Sequence, residues 1–201
     1  MKKMFFLFFL LYTAPGLSAQ VLSTVGSRWS DSFVEWAIYA IVPPDQVPGA
    51  DSTEQAELEE DELGELKLRW LDIKDDWSEW DFSLGDDLRG TIKQKWKDDK
   101  TQWELRTYDG SIITMRAAWA NDLTEWRITD NTTTLLFRSR WTNQYDDWGL
   151  KDQKYGQFHL YTLRSRDPRE WAIEDSLDAT ISLPIKMAMV FLAVFHASPK
   201  Q

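Results

Sequence analysis

The chain has 201 residues, of which 43% are hydrophobic and 28% charged, the balance of a folded domain with a sizeable core and not of a disordered segment. Its formal charge of −10 argues against nucleic acid as a partner, because phosphates demand a net basic face. It has no Cys, which excludes disulfides and thiol chemistry, yet it has twelve Trp.

Residues 1–19 read as a signal peptide. Lys2 and Lys3 form a basic start, residues 5–12 an apolar run too short to span a bilayer, and Leu17-Ser18-Ala19 a cleavage site ending in a small residue. Cleavage before Gln20 would remove both lysines and move the charge from −10 to −12. The competing reading is a short anchor left in place. After cleavage, residues 20–201 are expected to form a single domain that is not an integral membrane protein.

The next elements are paired strands marked by tryptophan. Trp80, Trp103, Trp126, Trp148 and Trp171 recur at spacings of 23, 23, 22 and 23. A second series, Trp96, Trp119, Trp141 and Leu163, stands seven or eight residues ahead of the first. Trp29/Trp36 repeats the spacing of seven, and Trp70/Trp80 repeats it with three extra residues, including Trp77. That makes six units of two strands. Apolar and polar residues alternate in Ile113, Met115, Ala117, Trp119, with turn residues such as Tyr108-Asp109-Gly110 between runs. Twelve strands are predicted near 24–30, 35–42, 65–73, 78–84, 90–97, 102–108, 111–119, 124–129, 133–141, 146–151, 156–165 and 169–174. Short connections make neighbours antiparallel. The exception is 43–64, rich in Pro and Glu, which reads as a long acidic loop with room for a short helix within 53–63.

Residues 181–197 change period. They are almost wholly apolar, and Ser182 and Pro184 suit a helix start. A helix apolar on every side must be enclosed, and Lys186 and His196 make a poor membrane span. A closed twelve-stranded sheet has a bore for one helix of about 10–12 Å diameter. The predicted fold is therefore an all-β, twelve-stranded antiparallel closed barrel around a central C-terminal helix.

Twelve antiparallel strands around such a helix resemble the tubby-like domains, whose relatives include the LURP-one-related proteins and the phospholipid scramblases. The local likeness is to LURP-one-related chains. It lies in Gly90-Thr91-Ile92-Lys93-Gln94-Lys95-Trp96, in the recurring strand–Asp–Gly–strand units, and in Trp171-Ala172-Ile173-Glu174-Asp175 before the helix. As a pattern it covers residues 24–197. Members of that superfamily are mostly intracellular, whereas this chain starts with an export-type segment. The resemblance implies lipid handling, since tubby-like domains can bind phosphoinositides and the scramblases act on phospholipids.

Three residue sets are candidates for binding. Because Trp recurs at a fixed strand phase, the Trp series are expected in the core; the competing reading is aromatic platforms that stack on sugar rings. Trp77 breaks the phase and is the ring expected to be exposed. Basic residues sit one or three before the marker Trp, as in Lys93, Lys95, Arg138 and Arg140, so alternation puts them on the opposite face. They read as a basic lipid-binding band or as solvated ion pairs such as Lys95 with Glu104. The connections carrying Asp31, Asp75, Asp76, Asp98, Asp99, Asp122, Asp146, Asp147 and Asp167 predict an acidic rim, able to attract Ca²⁺ or serving only as polar turns.

No phosphate-binding glycine loop, nucleophile elbow or zinc motif is present, and His159 and His196 are isolated, with His196 placed to meet a helix dipole. The expectation is a monomeric, non-catalytic binding or scaffold protein of the bacterial cell envelope, periplasmic or secreted, without cofactor or metal. Its partner would be an unknown envelope lipid or protein. Phospholipid binding is the alternative. An outer-membrane barrel is a third reading, favoured by even strand number and aromatics and opposed by the charged face.

Overall fold

The computed structural model describes residues 21–41, 60–73 and 75–200. Its strands are β1 (Leu22–Ser27), β2 (Glu35–Ile41), β3 (Glu60–Leu68), β4 (Glu79–Leu84), β5 (Leu88–Gln94) and β6 (Gln102–Thr107), followed by β7 (Ile112–Trp119), β8 (Asp122–Thr129), β9 (Thr134–Trp141), β10 (Gln144–Asp152), β11 (Gly156–Arg164) and β12 (Asp167–Leu177). One helix, α1 (Leu183–Ala197), follows. Every strand pairs antiparallel with its sequence neighbours, and β1 pairs with β12 through Thr24↔Ala172 and Val25↔Trp171. The sheet is thus a closed barrel with no free edge.

Alternation explains each strand. In β6, Trp103, Leu105 and Thr107 are buried, while Arg106 is exposed. Gly90 of β5 faces the bore, where an added Cβ would lie 2.2 Å from the Arg106 carbonyl oxygen and 2.8 Å from the Phe82 ring. Glycine there lets the phenyl ring cover the strand.

The helix fills the bore. Residues 185–195 of α1 are all buried, and Phe191 and Phe195 meet Trp103 at centroid distances of 4.9 and 4.8 Å. Lys186 lies among them, its ammonium 2.6 Å from a carboxylate oxygen of Asp175 on β12. Both side chains are almost wholly buried, so the pairing offsets a desolvation cost that neither charge could bear alone.

The largest boundary differences from the sequence reading are both at β3. Residues 60–64, assigned to the acidic loop, belong to β3, where Glu60, Asp61 and Glu62 pair with Ile41, Ala40 and Tyr39. Their charge lowers strand propensity, but the ladder satisfies the backbone while most of the side chains stay in water. Residues 69–73, expected to end the third strand, form the turn towards β4. The remainder of the proposed loop, 43–59, with the part of the proposed helix that falls in 53–59, lies outside the described residues, as do the signal peptide 1–19 and Gln20.

The meander sorts its connections. Those after β1, β3, β5, β7, β9 and β11 lie at one end, with the C-terminus of α1. Those after β4, β6, β8, β10 and β12 lie at the other, where α1 begins. The first is called the tryptophan end below and the second the acidic end.

Candidate functional site

Two tryptophan rings mark one end of the barrel. The inner ring is Trp36, Trp80, Trp103, Trp126, Trp148 and Trp171, each with at most 1% of its surface exposed. A buried indole N–H requires an acceptor. All six find it in the same place, the carbonyl three residues earlier: Phe33, Trp77, Lys100, Leu123, Tyr145 and Pro168, at 2.7–3.1 Å. Each bond ties a connection down onto the core.

The acidic residues reinforce those connections. Asp76, Asp99, Asp122 and Asp167 accept the backbone N–H two residues on, at 2.8–3.2 Å. The Thr101 and Thr124 hydroxyls and N–H groups hold the Asp99 and Asp122 carboxyls below their ordinary range, and Ser78 does the same for Asp76. These carboxylates are committed to turns. Among the described residues no group of three or more His, Asp or Glu is placed to hold a metal ion. Arg28, Lys95, Lys97, Lys100, Arg166 and Lys200 share the rim and offset part of its charge, but the nine Asp still outnumber them. The opposite end is the more acidic one, with Glu60, Asp61, Asp86, Asp87, Asp109, Asp130, Asp152 and Asp178 against Arg89 and Lys154.

The outer ring corrects the expectation that both Trp series lie in the core. Trp29, Trp70, Trp96, Trp119, Trp141 and Leu163 are 41–65% exposed. Most share the inward phase, but they sit at or past the last paired residues, where the wall ends and no helix remains to cover them. Three of the indoles are held by neighbouring side chains. Trp29 Nε1 donates to Glu35 (3.1 Å), Trp70 Nε1 donates to Glu79 (3.2 Å), and the Arg140 guanidinium lies 5.4 Å from the Trp141 ring centre. Leu71 and Ile73, also exposed, extend this collar.

Trp77 is corrected in the opposite sense. It is half-buried, 6.1 Å from the Trp80 ring and packed against the core. Within its connection Trp77 itself turns inwards, and its carbonyl serves Trp80.

The basic candidates are exposed and face outwards as expected, but they do not make one site. Lys93 and Lys95 stand on or just beyond β5, beside a depression of about 630 Å³ that Lys97, Lys100 and Lys200 also line. Arg138 and Arg140 are on β9, four strands on and a third of the way round. Lys93 is 3.7 Å from Glu79 and Arg140 is 3.4 Å from Asp147. The expected Lys95–Glu104 pair is replaced. Register sets Lys93 opposite Glu104, whose carboxylate instead bonds Arg106.

His196 is not the charged dipole partner read from sequence. Its ring is 5.2 Å from Trp126 and 6.1 Å from Trp148, with Nε2 shielded and without a hydrogen-bond partner. Burial, helped by Lys200 and Lys100, pushes its pKa down to about 3. Lys200 takes over the helix end, donating to the Phe195 and Ser198 carbonyls. His159 faces Asp147 (2.8 Å) with one ring nitrogen and Glu174 (3.4 Å) with the other, which leaves neither for activating a hydroxyl. Comparison with protein-family models, curated proteins and solved structures finds no match to this chain.

Proposed function

We propose that the protein is a non-catalytic binding or scaffold protein of the bacterial cell envelope, periplasmic or secreted, working through its tryptophan end. The observation that carries this reading is the collar: five indoles and a leucine held in water at one end of a barrel whose core does not use them. Exposed apolar surface on that scale marks an interaction site. Lys2, Lys3 and the apolar run after them support export, and the barrel wound on an apolar C-terminal helix supports the tubby-like resemblance. A second reading, phospholipid handling of the tubby or scramblase type, draws on the cations one residue before the collar: Arg28, Arg69, Lys95 and Arg140.

The test is co-sedimentation with total bacterial envelope, comparing the native protein with a variant carrying Trp96→Ala, Trp119→Ala and Trp141→Ala. The variant should stay folded and lose binding. Equal binding by the two proteins would remove the reading, as would a robust hydrolase activity lost on changing one carboxylate.

A further inference from the structure

We propose that the collar docks onto the headgroup–acyl boundary of a phospholipid bilayer, with the barrel standing upright and its acidic end turned to water. This rests on the tryptophan end being the binding face and names its partner.

The shape of the collar selects a planar partner. Its six positions come from six successive hairpins, so they surround the mouth of a closed barrel at one level. A peptide or sugar chain would touch one arc. A flat interface touches all six at once.

The chemistry selects lipid over sugar. Stacking on a sugar needs a flat ring at each contact, and the sixth position, Leu163, has none. An acyl boundary needs only apolar surface there, which Leu163, Leu71 and Ile73 supply. Indole is suited to that depth, with an apolar body and a polar N–H. The Glu35 and Glu79 carboxylates already hold Trp29 and Trp70, so little side-chain freedom is lost on docking.

The charges set depth and orientation. Behind the collar the wall carries Lys93, Arg106, Arg116, Arg127 and Arg138, all exposed, which stops deeper insertion. Lys95 and Arg140, one residue before their Trp, lie at the depth of lipid phosphates, as do Arg28 and Arg69; of these four, Arg28, Arg69 and Arg140 are already engaged by Glu62, Asp81 and Asp147. Lys97, Lys100, Arg166 and Lys200 add cations on the same side. Cations offset the Asp of the tryptophan end more fully than those few at the acidic end offset its carboxylates, so an anionic surface repels the acidic end more and the tryptophan end approaches.

Vesicles of phosphatidylcholine with a minority of phosphatidylglycerol test this. The native protein should bind, and brominated acyl chains should quench part of its tryptophan fluorescence. The triple Trp→Ala variant should bind about tenfold or more weakly, with that quenching reduced and its melting unchanged. A second measurement leaves every Trp in place. The chain has no Cys, so a fluorophore on Asn121→Cys, at the tryptophan end, should shift to the blue on vesicles, and one on Asp109→Cys, at the acidic end, should not. Absence of vesicle binding, or equal shifts at both ends, overturns the lipid assignment. If the envelope binding described above still depends on the collar, the binding face survives and its partner is not lipid. If envelope binding ignores the collar, the binding face itself is wrong.

Discussion

The inner and outer tryptophans are the same residue in the same repeat at the same end of the barrel, yet one set is buried and the other exposed. Trp103 is sealed against Phe191 and Phe195, while Trp96, seven residues earlier, is 59% exposed. The difference lies in where each stands on the wall. An inward phase buries a side chain only where there is a bore to enter. The inner ring stands over the helix, and the outer ring has passed the mouth. One repeat therefore yields both the seal and a surface that the fold does not need.

The comparison can be broken most strongly from the inside. Trp103→Ala should lower stability by about 3–5 kcal/mol, read from denaturant midpoints, because it opens a cavity and frees the Lys100 carbonyl. Lys186→Ala should cost about as much, ~3–5 kcal/mol, by stranding Asp175. Lys186→Met combined with Asp175→Leu should recover most of that loss. A smaller effect comes from pH. His196 is held near 3 in the fold against 6.5 unfolded, so the folded state binds fewer protons. Its contribution is complete above pH 6.5 and falls as pH drops towards 3, by at most about 1.4 kcal/mol per pH unit. His196→Phe should flatten that slope in melts between pH 6.5 and 4.5. Smallest of all, Trp96→Ala or Trp119→Ala should change stability by no more than about 0.5 kcal/mol.

The barrel was legible because period-two alternation recurs every 22–23 residues and the last apolar segment breaks it. The start of β3 was hidden by its composition, since Glu60, Asp61 and Glu62 look like loop and pair like strand. The collar was hidden because phase gives the face of a strand and not its height. Lys186–Asp175 spans two elements, but a lysine inside an apolar helix was a signal that a carboxylate had to meet it. The outward phase of Lys93, Lys95, Arg138 and Arg140 was read correctly. Their separation around the circumference needed the closed order of strands.

Acrylamide quenching of tryptophan fluorescence, run alongside thermal melts, tests the two-ring account most directly. The native protein should show an accessible and a shielded population, and Trp96→Ala, Trp119→Ala, Trp141→Ala should remove much of the accessible one without moving the melting temperature. A variant that melts far lower, or keeps the accessible population whole, would show that these residues belong to the core.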